Sequence, residues 1–167
     1  MPDAPSPAFE VRRADARELH GLRRRVLRAD NPESSVQDPR DDEASALHFG
    51  GFLDGRLVAS ASWFRSDPPV NVGLFSYQLR YMAVDPDVQG RGYGSVLLAR
   101  AMKDLRALGV EQLWANARDS ALGFYVATGW TPVAGSQHLS RETRLPHTVI
   151  FMILADSSPV VSRNDAG

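Results

Sequence analysis

One stretch constrains this chain more than any other: Met82-Ala-Val-Asp-Pro-Asp-Val-Gln-Gly-Arg-Gly-Tyr-Gly-Ser95. A strand-like run, Phe75 to Val84, is stopped by Pro86, and glycines follow at 90, 92 and 94. A helical pattern begins at once: Leu97, Leu98, Ala101, Met102, Leu105 and Leu108 recur at i, i+3 and i+4 spacing over 92–108, with Gly109 placed to end the helix. The first amides of a helix have no partner within it, the helix dipole puts positive charge there, and glycines let another molecule come close. A strand, a glycine-rich turn and a helix with no spare residues between them therefore suit an anion such as a phosphate. The alternative is a glycine-rich connection that holds nothing. Two familiar phosphate loops are excluded. A Walker loop ends in Gly-Lys-Ser/Thr and no lysine is present here; a G-x-G-x-x-G/A fingerprint begun at Gly90 ends on Ser95, and begun at Gly92 ends on Leu97.

The rest of the chain supplies a sheet around this unit. Phe9 to Val11 reads as a short strand. Asp15 is placed to cap a helix, with Glu18 three residues on as in a capping box, and Leu19, Leu22 and Val26 recur at helical spacing while Arg23, Arg24, Arg25 and Arg28 fill the polar side. Asp30 to Glu43 is acidic and broken by Pro32 and Pro39, as an exposed loop would be. Leu47–Phe52 and Arg56–Phe64 form two strands joined by the hairpin dipeptide Asp54-Gly55. Val110–Ala117 reads as a strand, Ser120–Thr128 as a short helix, Trp130–Gln137 as a strand and Thr148–Leu154 as an apolar final strand. The order β-α-β-β-β-α-β-α-β-β predicts a mixed α/β sheet.

Composition sets the outer bounds. With 167 residues, 43% of them hydrophobic, the chain fits one domain, expected over 9–155 between tails at 1–8 and 156–167. Without cysteine there is no thiolate nucleophile and no Cys-ligated zinc or iron–sulfur site, and no metal is expected. The 19 Lys and Arg against 20 Asp and Glu argue against binding nucleic acid by bulk charge. The start lacks the pattern of a signal peptide and no apolar run is long enough for a membrane span, so a cytoplasmic protein without a membrane partner is expected.

The residues Gln89-Gly90-Arg91-Gly92-Tyr93-Gly94 satisfy Q/R-x-x-G-x-G/A, and here the sequence resembles the GCN5-related N-acetyltransferase (GNAT) family. Two further segments agree. Leu79-Arg-Tyr-Met-Ala-Val-Asp-Pro86 is similar to that family's fourth strand, and Ala121-Leu-Gly-Phe-Tyr-Val-Ala-Thr-Gly-Trp130 to its A-x-x-F-Y-x-x-x-G-F/W segment. The resemblance implies the acyl-CoA N-acyltransferase fold of class α/β (α+β), a mixed, mostly antiparallel sheet of about six to seven strands flanked by helices.

It also implies direct transfer of an acetyl group from acetyl-CoA to a primary amine in a ternary complex. Gln89, Gly90, Arg91, Gly92, Tyr93, Gly94 and Ser95 would hold the pyrophosphate. Met82, Ala83 and Val84 would pair with the pantetheine arm, with a strand N–H such as that of Val84 directed at the thioester oxygen. Asn116, two residues from Arg118 where many relatives have Asn, would share this site. Tyr125 matches the family's donor to the departing sulfur; the competing reading is a core aromatic. The family's strand glutamate is replaced by Gln78, which takes up no proton at neutral pH. The proton acceptor is then water, His48, His147, Glu142 or Tyr81, although each histidine taken singly reads first as a hydrogen-bonded structural or surface residue. The acidic stretch 30–43 suits a cationic acceptor, whereas Arg25 and Arg28 suit one carrying a carboxylate or phosphate. A CoA-binding sensor without catalysis, a homodimer joined through the apolar final strand, and a nucleic-acid reader using the helix-one arginines are the remaining alternatives.

Overall fold

A computed structural model of the chain describes residues 8–154. The two expected tails, apart from Ala8, lie outside the described residues. The strands are β1 (Phe9–Arg13), β2 (Leu47–Leu53), β3 (Arg56–Arg65), β4 (Ser76–Val84), β5 (Gln112–Arg118), β6 (Thr131–Pro132), β7 (His138–Leu139) and β8 (Pro146–Ile153); the α-helices are α1 (Ala16–Leu22), α2 (Tyr93–Ala107) and α3 (Leu122–Ala127). They form one eight-stranded sheet in the order β1-β2-β3-β4-β5-β8-β6, with β7 also pairing to β8. All neighbours are antiparallel except β4 and β5, which the α2 crossover makes parallel. The class is therefore the expected mixed α/β one, with more strands than expected because β6 and β7 are two-residue pairings on the outer edge of β8.

Local chemistry explains most element boundaries. Asp54 and Gly55 both adopt positive φ, 49° and 83°, and close the β2–β3 hairpin in two residues. Gly109, at φ 80°, ends α2 while the Val110 amide donates to the Leu105 carbonyl. On α2, Leu97, Leu98, Ala101 and Leu105 are buried against the sheet beside Leu79, Leu113 and Ile150, whereas Leu108 faces solvent.

Three expectations need correction. The Trp130–Gln137 strand is confined to Thr131–Pro132, because the chain turns at Gly135 (φ 75°). Asp15 precedes α1 without a side-chain cap bond, and Glu18 instead accepts from Arg12 at 3.3 Å. The apolar final strand has β5 on one edge and the short β6 and β7 on the other.

The helix-one arginines are also not one solvent-facing row. After α1 the chain continues as a π-helical turn, Arg23–Leu27, with Arg23 fully buried. Its guanidinium donates to both carboxylate oxygens of Asp41 at 3.0 and 3.2 Å, to the Val36 carbonyl at 2.8 Å and to Ser62 Oγ at 2.7 Å, and lies 4.0 Å from the Tyr81 ring centroid. This cation ties α1, the 30–43 segment and β3 together. Removing one partner of a buried pair strands the other charge, at about 3–5 kcal/mol. Arg23→Ala is therefore expected to lower the unfolding free energy by about that amount, read from urea denaturation.

Candidate active site

The site begins as a failure of strand pairing. β4 pairs with β3 along most of its length but meets β5 only at Ser76, Tyr77 and Gln78, opposite Gln112, Leu113 and Trp114. Beyond Gln78 no strand among the described residues takes the β5-facing edge of Leu79–Val84. The register with β3 shifts in the same region, between Ser60 and Ser62, and Tyr81 sits at φ 55°, a left-handed conformation unusual for a bulky residue. This bulge turns Tyr81 onto the same side as Arg80, whose guanidinium lies 4.7 Å from the Tyr81 ring centroid. A cleft of about 640 Å³ opens between the diverging strands, within the usual range for a small-molecule site.

Met82, Asn116 and Tyr125 all line this cleft. Tyr125 is buried and edge-packed between Phe124 and Trp130, with ring centroids at 5.2 and 5.6 Å. Its hydroxyl has no hydrogen-bond partner among the described residues, and burial raises its pKa well above that of an ordinary phenol. A phenol so placed stays protonated and can only donate to an incoming anion or sulfur. Ala83 is buried, and Val84 is turned against the start of α2, so these two residues present backbone rather than side chain.

The glycine turn lies where β4 runs into α2. Gly90 and Gly92 adopt φ of 79° and 83°, and Gly92 caps α2 with no side-chain bond, leaving the amides of Tyr93, Gly94 and Ser95 at the open N-terminus. Gly94 serves packing instead, because a Cβ there would lie 3.2 Å from Met82 Cε and 3.4 Å from Val84 Cγ2 and Phe124 Cζ; its absence lets the helix approach β4 closely. Gln89 reaches back, its Nε2 donating to the Val84 carbonyl at 3.0 Å, and Arg91 and Ser95 are exposed. The ring of Tyr93 stacks on Phe9 at 4.2 Å, so only its backbone serves the turn.

Of the proton-acceptor candidates, the structure separates one from the rest. His48 is satisfied away from the cleft: Nε2 donates to the Asp41 carbonyl at 2.9 Å and Nδ1 accepts from Ser62 Oγ at 2.7 Å. Glu142 has both oxygens engaged, by Arg28 at 2.8 Å and Arg80 at 2.9 Å. Burial raises the Tyr81 hydroxyl's pKa, so it holds its proton. Gln78 Oε1 accepts from Arg40 at 3.2 Å. His147 lines the cleft and donates from Nδ1 to the Leu145 carbonyl at 2.8 Å, which leaves Nε2 as an acceptor without a partner among the described residues.

The acidic stretch does not face the cleft as an acidic wall. Asp38 and Asp41 turn inward onto arginines, while Asp30, Glu33, Asp42 and Glu43 are exposed. Arg25 is also elsewhere, paired with Asp85 at 2.8 Å. Arg28, Arg80, Arg40 and Arg118 line the cleft instead. Of these, Arg80 lies within the fourth-strand segment and Arg40 within the acidic stretch, but neither was read as a site residue; a charge inside the apolar run of β4 was the available signal for Arg80.

Burial pushes the Asp38 carboxyl up, but hydrogen bonds from Arg40 and the charges of Arg40 and Arg80 outweigh it and hold the group below the usual carboxylate range. Arg23 holds Asp41 down against the same desolvation. The unfolded chain thus takes up these protons more readily than the folded one. Stability is expected to be complete above about pH 4 and to fall as pH drops below it. In urea titrations at successive pH values, Asp38→Asn is expected to show a lower midpoint near neutrality and a flatter acid decline.

Comparison with known proteins gives concordant matches. The model of the acetyltransferase (GNAT) family matches residues 14–130. The uncharacterized N-acetyltransferase YitI of Bacillus subtilis (strain 168) is 30% identical over 122 residues, covering 73% of this chain and 82% of that protein. Mycothiol acetyltransferase of Beutenbergia cavernae is 41% identical over 86 residues, 48% of this chain but only 26% of that protein. Escherichia coli ElaA superposes with a TM-score of 0.70 at 19% identity, over 86% of this chain and 99% of that one, a likeness of fold.

Proposed function

Because this chain belongs to the acetyltransferase (GNAT) family, we propose that it transfers an acetyl group from acetyl-CoA directly to a primary amine, with both substrates bound together. The observation that carries this reading is the β4 edge, unpaired among the described residues, opening into a cleft lined by the buried Tyr125, with an open helix N-terminus beyond the end of the same strand.

Residues of the chain suit the pyrophosphate and the extended arm of the donor. The amides of Tyr93, Gly94 and Ser95, with Arg91 beside them, suit a pyrophosphate. The β4 edge at Met82, Ala83 and Val84 suits an extended amide-containing arm, which pairs with it as an added strand would. When bound, acetyl-CoA supplies an activated acyl carbon and a thiolate leaving group. The amine nitrogen forms the new C–N bond as the C–S bond breaks, and the nitrogen must lose a proton. A β4 amide stabilises the charge that develops on the acyl oxygen. Tyr125 donates its hydroxyl hydrogen bond to the sulfur; its raised pKa favours lending this bond over surrendering the proton outright. His147 Nε2 takes up the proton from the amine, directly or through water.

Release of free CoA across a panel of amines tests the reading. Tyr125→Phe is expected to lower kcat by about 10²-fold with little change in affinity for acetyl-CoA, and His147→Asn to lower kcat as well. An unchanged rate in the first variant removes Tyr125 from the reaction. Binding without turnover for any amine would favour a CoA sensor. Nothing lies within 4 Å of a Cβ built on Gly92, but its φ of 83° strains a side chain there by about 1–2 kcal/mol, so Gly92→Asp is expected to fold with somewhat lower stability. Its carboxylate would stand where the pyrophosphate belongs, and calorimetry should show affinity for CoA at least about tenfold weaker.

A further inference from the structure

The cleft carries far more positive than negative charge, and its cations are not all spoken for. Among the described residues, Arg28, Arg40, Arg80, Arg118 and Arg141 line it, against the single carboxylate of Glu142. Asp38, buried behind them, accepts from Arg40 and Arg80. Two carboxylates are thus shared among three arginines. Arg118 has no acidic partner among the described residues: its Nη2 donates to the Leu27 carbonyl at 2.9 Å, and its Nε and Nη1 have no partner there. Arg28 is buried beside it, and the crowding shows in its pKa, which desolvation lowers and the neighbouring charges of Arg118 and Arg80 lower further, despite Glu142. Guanidinium groups gathered in a half-enclosed space, with fewer carboxylates than cations, form a receptor for an oxyanion.

The structure also shows which oxyanion fits. Glu142 places its carboxylate between Arg28 Nη2 and Arg80 Nη2, at 2.8 and 2.9 Å. It arrives from the outer segment after β7 with a half-exposed side chain, so it can be exchanged for a carboxylate entering from solvent.

We infer that the acceptor is an amine that also bears a carboxylate, seated against Arg118 and the Arg28–Arg80 pair. The inference rests on the acyl-transfer reading and names its acceptor class. The carboxylate would fix the distance between anion and amine, so that the amine is presented toward the acyl carbon at the β4 edge. The exposed acids of the 30–43 segment play no part in holding it.

The test uses α-, β- and γ-amino carboxylates, their carboxamides, and O-phosphoethanolamine, measured for CoA release and, independently, for binding to the CoA-loaded protein by calorimetry. At least one amino carboxylate is expected to exceed its carboxamide by about 10- to 100-fold in kcat/KM and in affinity. Arg118→Gln should raise KM for that substrate about tenfold or more, leaving its carboxamide and the KM for acetyl-CoA unchanged. Glu142→Gln should strengthen carboxylate binding by freeing the arginine pair. Equal use of carboxamide and carboxylate overturns the inference, as does preference for the phosphate compound. An Arg118→Gln effect confined to acetyl-CoA also overturns it, by assigning that cation to the donor. Carboxylate binding without any CoA release would keep the inference and contradict the transfer reading alone.

Discussion

The site depends on one interrupted ladder. β4 is held by β3 along nearly its full length, yet its parallel partner β5 follows it for only three residue pairs, Ser76–Gln78 with Gln112–Trp114, before the strands part. An unpaired strand edge in the interior of a sheet exposes backbone donors and acceptors that the fold does not satisfy, and so asks for another molecule. The bulge at Tyr81 is part of the same interruption. It rotates the strand so that Arg80 and Tyr81 share one face, while Met82 meets the N-terminus of α2 through the space that Gly94 leaves. The glycine turn and the strand gap, proposed to take the donor's pyrophosphate and extended arm, are therefore consecutive parts of one strand–helix unit.

Around that gap, electrostatics divide the arginines into two groups. Arg23 is structural and fully enclosed, its two terminal nitrogens held by Asp41, Val36 and Ser62 while its Nε has no partner among the described residues, and it is linked through Ser62 to His48. Arg28, Arg40, Arg80 and Arg118 stand at the cleft, where the carboxylates are too few to neutralise them. A net charge of −1 over the whole chain conceals both arrangements, because the acids that balance the total are largely on the exposed loop and other outer surfaces.

How much of this was legible in the sequence depended on whether the signal was local. The glycine turn, the Asp54-Gly55 hairpin, the periodic face of α2 and the aromatic segment around Tyr125 are written in adjacent residues, and each is found where its spacing placed it. The divergence of β4 from β5 was not legible, since register between strands separated by a helix leaves no mark in either strand. Nor was the π-helical turn at Arg23–Leu27, which accompanies a buried cation whose partners, Asp41 and Ser62, lie far along the chain. The same long reach hid the roles of the acids. Asp38 and Asp41 belong by composition to a solvated loop, and only tertiary contact turns them into counterions. His48 and His147 were indistinguishable as residue types; hydrogen bonding separates a saturated imidazole from one whose Nε2 has no partner among the described residues.

The most direct test of the central claim, that the open edge of β4 and the turn following it form one acyl-CoA site, is amide hydrogen exchange with and without saturating CoA. Protection is expected to rise in two linked segments, Leu79–Val84 and Gly90–Ser95, while β2 and the outer part of β3 exchange as before. Protection that appears elsewhere, or in the glycine turn with the β4 edge unaffected, would contradict the claim.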